Sequence, residues 1–245
     1  MNLKIAIDCG HTCSGADYGA VGIKAESILT REVGNRVINK LKALGHNVIN
    51  CTIDTCNSLE ESLAYRVNQA NNNNVDLFVS IHFNCFNGQV SGTEVFTWDG
   101  EQFQEATRVL SNLVGLDYVN RGIKDGSNLY VIRNTRAKAM LIECCFCDSK
   151  EDMNKYDAER MASAIVEGIT DKVTYNNKYS LDGKLGVVTA KDGLNVRQRK
   201  STNSKILGVL KHGEKVRLYR KEGDWMHIYY SKHGGYVYAD YIEML

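Results

Sequence analysis

Leu3-Lys4-Ile5-Ala6-Ile7-Asp8-Cys9-Gly10-His11 opens the chain with a short apolar run that ends in an imidazole. Two later stretches have the same build: Val75-Asp76-Leu77-Phe78-Val79-Ser80-Ile81 leads into His82, and Ala139-Met140-Leu141-Ile142 leads into Glu143. Short β-rich apolar runs bounded by turn or helix signals read as buried strands of a parallel sheet. Ligands of such sheets bind beyond the carboxyl ends of the strands, so two imidazoles and a carboxylate delivered to one edge point to a site. Glu26, where a helical pattern begins, is a fourth candidate. One His after a strand is ordinarily a loop residue, but four metal- or proton-competent residues in register are poorly explained that way.

Between these runs the pattern alternates. Glu26 to Leu44 carries apolar residues at a helical period and stops at Gly45; 46–52 reads as a strand and Leu59 to Asn71 as a helix. A strand over Gly92 to Trp98, a helix over Glu101 to Val114 and a closing helix over Asn154 to Val173 complete the series. The expected fold is α/β, a mostly parallel sheet flanked by helices.

Composition changes near residue 173. Residues 1–172 hold 17 Lys and Arg against 22 Asp and Glu, a net of −5, whereas 173–245 hold 13 against 7, a net of +6. All 8 Cys lie at or before Cys147, and 8 of the 13 Tyr lie after residue 172. The expected organisation is a catalytic domain over 1–173, a polar linker over 174–184 and a second domain over 185–245. The amino end enters the first strand without a signal-peptide pattern, and no apolar stretch approaches the roughly 20 residues of a membrane span. Synthesis in the cytoplasm, reduced thiols and no membrane insertion are therefore expected.

Catalytic zinc commonly takes three protein ligands and leaves a fourth position for water, and two His with one Glu is a known set. His11, Glu26 and His82 form such a set. A carboxyl is still needed to carry a proton from water to the departing nitrogen of an amide, and Glu143 is placed for it. Asp8, Asp17 and Glu94 either orient a zinc-bound imidazole or hydrogen-bond within loops and strands. Cys144, Cys145 and Cys147 read as small buried hydrophobes, because neighbouring strand residues point to opposite faces. His46, His212 and His233 adjoin turns and read as solvated, and His227 as a strand-face residue.

Ile7-Asp8-Cys9-Gly10-His11, Gly19-Ala20-Val21-Gly22 with Glu26, Ser80-Ile81-His82-Phe83-Asn84 and Leu141-Ile142-Glu143-Cys144-Cys145-Phe146 together resemble the zinc-dependent N-acetylmuramoyl-L-alanine amidases of the type 3 family. Leu63, Arg66, Ala70 and Asn71 fit that family's second helix. The resemblance implies Zn2+ on His11, Glu26 and His82, with Glu143 as the catalytic carboxyl. It also implies the substrate: the amide between the lactyl group of N-acetylmuramic acid and the first L-alanine of bacterial peptidoglycan. Thr12, Cys13 and Ser14 stand where the family commonly has glycines.

Leu185 to Ala190, Leu194 to Arg197, Ile206 to Val216, Gly223 to Ile228 and Gly234 to Tyr238, with Tyr241-Ile242 at the end, resemble bacterial SH3-like wall-binding domains, a small all-β barrel. Its positive charge favours anionic walls, and its Tyr residues and Trp225 serve either as core or as stacking surfaces. No nucleic-acid motif accompanies the basic residues, so nucleic acid is not an expected partner. The expected protein is a wall-lytic amidase of phage-endolysin type, released to the wall from the cytoplasm. A bacterial autolysin or a sporulation mother-cell lysin shares the architecture, and a non-catalytic wall binder is the alternative of another class. The sequence sets no oligomeric state.

Overall fold

The computed structural model describes residues 2–172, 181, 183–231 and 234–245, in two compact units, Met1–Thr174 and Tyr175–Leu245. The expected linker over 174–184 lies outside the described residues apart from 181, 183 and 184, and so does His233.

In the first unit β1 (Lys4–Cys9), β3 (Asn47–Asn50), β5 (Leu77–Asn84), β6 (Thr93–Thr97), β7 (Asn120–Asp125) and β8 (Lys138–Phe146) form one sheet in the order β3-β1-β5-β8-β6-β7. Neighbours run parallel except β8 and β6, which are antiparallel. A separate parallel pair joins β2 (Ser14–Gly15) to β4 (Thr55–Cys56). The helices are α1 (Glu26–Ala43), α2 (Leu59–Asn72), α3 (Gln104–Val114), α4 (Tyr130–Asn134), α5 (Lys150–Lys155) and α6 (Ala158–Thr170).

Alternation along the strands divides the core in two. Ile5, Ile7, Val79, Ile81, Met140 and Ile142 pack with Leu29 and Val33 of α1, Val109 of α3 and Ile165 of α6. Ala6, Phe78 and Leu141 point the other way, to Val67 and Ala70 of α2 and Val131 of α4. The three central strands are thus apolar on both faces, which is why they read as continuous hydrophobic runs. The expected α/β class, a mostly parallel sheet covered by helices, is what the chain forms.

Several expectations need correction. The single closing helix over 154–173 is two helices: Tyr156 and Asp157 interrupt it, and the Asp157 side chain caps α6 by accepting from the backbone N–H of Glu159 and Arg160. Strand β7 is not expected from the sequence, because Asn120-Arg121-Gly122-Ile123-Lys124-Asp125 has no apolar alternation; it is an edge strand, paired among the described residues with β6 alone. Cys144 and Cys145 do not divide between faces. Both join the same core cluster, next to a register shift where β5 and β8 pair between His82 and Asn84. Burial lifts both thiols well above the ordinary range, as expected of small hydrophobes. His46 is buried, not solvated, and its Nδ1 accepts from the Leu3 N–H at 3.2 Å.

The second unit is an antiparallel sheet of β9 (Leu185–Val188), β10 (Leu194–Arg197), β11 (Ile206–Leu210), β12 (Lys215–Glu222), β13 (Trp225–Ile228), β14 (Gly235–Tyr238) and β15 (Ile242–Met244), ordered β11-β10-β14-β13-β12-β9-β15. Its core is aliphatic: Val188, Leu194, Val196, Leu210, Val216, Leu218, Met226, Ile228 and Val237.

Candidate metal centre

Parallel pairing of β1, β5 and β8 brings the ends of the three apolar runs together. Cys9 is the register partner of Ile81, and His82 that of Glu143. His11 lies two residues past β1 with a φ of 63°, a left-handed conformation costly for a side chain of this size. Two guanidinium groups hold it there: Arg66 Nη2 donates to the His11 carbonyl at 2.8 Å and Arg31 Nη2 at 3.0 Å. Glu26 enters as the first residue of α1, where the helix dipole favours a carboxylate. Its Oε1 accepts from the Phe83 N–H at 3.0 Å and its Oε2 from the Ala20 N–H at 3.1 Å, so the backbone fixes both oxygens.

The three side chains converge. One ligand atom each from His11, Glu26 and His82 lies within 4.8 Å of the others. His11 Nε2 is 3.2 Å from Glu26 Oε2, and His82 Nδ1 is 3.1 Å from Glu26 Oε1. The cluster leaves no room for β-carbons around it. A Cβ on Gly10 would fall 2.3 Å from the His82 ring, and one on Gly19 would fall 2.6 Å from His11 Cγ.

Behind His11 stands a buried polar chain. Asp17 Oδ1 is 2.7 Å from His11 Nδ1, which turns Nε2 toward Glu26, and Asp17 Oδ2 accepts from Ser62 Oγ at 2.7 Å. Ser62 Oγ also accepts from Arg66 Nε at 3.1 Å, and Arg66 pairs with Asp8, which accepts from Ser80 Oγ at 2.7 Å. Of the two roles open to Asp17, it takes imidazole orientation; Asp8 instead holds Arg66. Burial opposes charge on His11, but the Asp17 and Glu26 hydrogen bonds outweigh it and raise its pKa to about 10. Burial likewise opposes ionisation of Glu26, and the two imidazoles outweigh it and hold its carboxyl low. The Asp17 and Glu26 carboxylates beside His11 give the pocket a negative field, and the same field favours a cation.

Glu143 differs. Its Oε2 is buried with no hydrogen-bond partner among the described residues. Burial pushes its carboxyl up to about 7, with His82 opposing and the Glu26 and Glu94 carboxylates adding. Glu94, its register partner across β6 and β8, does not orient an imidazole. Instead it accepts from Asn84 Nδ2 at 2.8 Å, Arg121 Nε at 2.8 Å and Lys124 Nζ at 2.5 Å. Arg121 and Lys124 were not singled out from the sequence, since they lie on the unanticipated strand β7; a basic pair flanking a glycine in a polar stretch was the only trace.

The N-acetylmuramoyl-L-alanine amidase family profile matches residues 5–175, and the bacterial SH3 domain profile matches residues 192–243. An uncharacterised protein of Clostridium perfringens is 34% identical over 217 residues, covering 85% of this chain and 61% of the relative, so the chain spans less than two thirds of that relative's length. Among solved structures, the catalytic domain of an endolysin targeting Clostridium difficile is 30% identical with a TM-score of 0.64, over 70% of this chain and 98% of that domain. An N-acetylmuramoyl-L-alanine amidase of Nostoc punctiforme is 29% identical with a TM-score of 0.61, over 69% of this chain and 96% of that one.

Proposed function

The chain belongs to the N-acetylmuramoyl-L-alanine amidase family, and from that premise we propose that it is a zinc-dependent peptidoglycan hydrolase cleaving the bond between N-acetylmuramic acid and L-alanine. The observation that carries the reading is the His11, Glu26 and His82 cluster, with Glu143 the register partner of His82 and its buried Oε2 without a hydrogen-bond partner among the described residues. Two imidazoles and a carboxylate suit zinc, and the Asp17 hydrogen bond supplies the outer support that ligating histidines generally have. When bound there, zinc supplies Lewis-acid polarisation of the scissile carbonyl and acidifies water.

The protein's own part is proton handling. Glu143 accepts a proton from the attacking water and returns it to the L-alanine nitrogen as that amine departs. A carboxyl poised near 7 by burial is suited to both transfers, whereas an ordinary surface carboxylate is a weaker base. Asn84, Arg121 and Lys124 bind the Glu94 carboxylate beside Glu143, and the two cations offset part of its repulsion of negative charge as it develops. The second unit holds the enzyme on the wall, a role supported by its match to the bacterial SH3 domain. The setting we favour is that of an endolysin released from the cytoplasm, supported by the likeness to an endolysin catalytic domain.

The test is digestion of purified peptidoglycan with and without chelator and added zinc, followed by mass spectrometry of the new ends. Free L-alanine amino termini with intact lactyl sugars, lost on chelation and restored by zinc, are expected. New reducing sugar ends or cuts within the peptide overturn the amidase assignment, and intact walls under all conditions favour a binder.

A further inference from the structure

Among the described residues, the core of the second unit uses no Trp, and Tyr230 is the one aromatic side chain packed against it. Its other described aromatics lie outside that core, and a solvated aromatic face on so small a sheet calls for an explanation. On β13 the core takes Met226 and Ile228, so Trp225 and His227 point outward; on β14 it takes Val237, so Tyr236 and Tyr238 do. Register pairs Trp225 with Tyr238 and His227 with Tyr236. The Trp225 and Tyr238 rings meet edge to face at 5.6 Å, and Tyr241 follows at 6.2 Å from Tyr238 with 48% of its surface exposed.

Trp225, Tyr238 and Tyr241 form one wall of a groove of about 470 Å³. Thr202, the turn between β9 and β10 and β10 itself line the rest, and the turn and strand bring Lys191, Asp192 and Arg197 to the same groove. Arg197 is held in place by a 3.0 Å hydrogen bond from Nη1 to the Ser204 carbonyl. The groove therefore joins aromatic faces to charges of both signs.

We propose that this groove is the wall-ligand site of the second unit and that its occupant is a peptide stem segment bearing free carboxylates and a side-chain amine. The inference rests on the wall-targeting reading given above. Charge complementarity decides between the two polymers of the wall. An intact glycan strand, N-acetylated and with its lactyl carboxyls tied up in amides, offers no ionised group to Lys191, Asp192 or Arg197. A stem peptide offers carboxylates to the two cations, an amine to Asp192 and alanine methyls to the aromatic wall.

The test uses the full chain carrying Trp98→Phe, which leaves Trp225 as the single tryptophan of the two in the sequence. Titration with a synthetic tetrapeptide of L-alanine, D-glutamate, L-lysine and D-alanine should shift Trp225 emission saturably. Arg197→Gln and Tyr241→Ala should each raise the Kd about tenfold and weaken pelleting with walls in parallel. Release of L-alanine-terminated peptide from a soluble muramyl peptide should stay unchanged. Lys191→Ala, at an exposed turn residue, repeats the test if circular dichroism shows Tyr241→Ala misfolded. A response to an N-acetylglucosamine tetramer but not to the peptide overturns the proposal in favour of a glycan groove. Silence toward both probes, with walls still pelleted, places the ligand site elsewhere and leaves wall targeting intact. Failure to pellet with walls at all overturns the targeting reading itself, whatever the enzyme does to soluble substrate.

Discussion

Gly10 sets how closely His82 can stand to the end of β1. A Cβ there would lie 2.3 Å from the imidazole, and His82 cannot retreat without leaving Glu26, 3.1 Å from its Nδ1. Gly10→Ala should therefore lose bound zinc while keeping the fold, read as metal stoichiometry by atomic absorption beside an unchanged far-ultraviolet circular dichroism spectrum; full zinc content would show that the ring has slack. Glu143→Gln separates chemistry from metal binding. It should keep its zinc and lose activity by about 10²–10⁴-fold, the usual worth of a general acid and base, whereas His82→Ala should lose both. Wild-type rates in Glu143→Gln would remove that residue from the mechanism. His11, Glu26, His82 and Glu143 were legible in the sequence because each closes an apolar run or opens a helix, a local signal. Asp17 was legible as one of two readings and Arg66 as a helix position, but the Ser62–Asp17 and Arg66–Asp8 contacts, 45 and 58 positions apart, appear only once the chain is folded.

Beyond the packing of Ala6 with Val67 and Ala70, helix α2 joins β1 through Arg66, which is buried with Asp8 and Asp17 and also grips the carbonyls of Cys9 and His11. Removing one partner of a buried ion pair leaves an uncompensated charge, so Arg66→Leu should cost about 3–5 kcal/mol in urea unfolding, with zinc affinity falling too. A loss under about 1 kcal/mol, the scale of an exposed pair, would mean the acids relax to water. Helix α1 has a weaker tie: Glu32 accepts from Lys24 Nζ at 2.5 Å and from Tyr156 Oη at 2.8 Å, at the break between α5 and α6. Burial alone would raise the Glu32 carboxyl, but these two hydrogen bonds outweigh it and lower it. A depressed folded pKa gives stability that is present above the unfolded value and lost as pH falls through the folded one. Glu32→Gln should thus melt below wild type by about 1–3 °C at neutral pH, and the gap should close in acid; a gap independent of pH would assign the effect to packing. That break was not legible because Asp157 lies within an otherwise helical period, and β7 was missed because an edge strand facing water needs no apolar alternation.

At the scale of the whole chain, the change in composition near residue 173 reflects two units with separate cores, one around the parallel sheet and one within the antiparallel sheet. Charge, thiols and tyrosines change together there; of the two roles the sequence leaves open for the tyrosines, Tyr230 takes the core and the other described ones lie outside the aliphatic cluster, a division that shows only when the strand faces are known. The charges also divide the work. With 13 Lys and Arg against 7 Asp and Glu over 173–245, the second unit is drawn to an anionic wall at long range, whereas the net −5 of 1–172 opposes approach. Raising salt from about 0.1 M to about 1 M shortens the screening length from about 10 Å to about 3 Å. That removes the long-range attraction but leaves ring contacts in the groove, so wall pelleting should weaken severalfold without vanishing. Cleavage of a soluble muramyl peptide depends on none of this attraction and should change much less over the same range. Pelleting that is indifferent to salt would assign wall affinity wholly to short-range contacts, and pelleting abolished by salt would mean that the aromatic groove adds nothing to a diffuse ionic association.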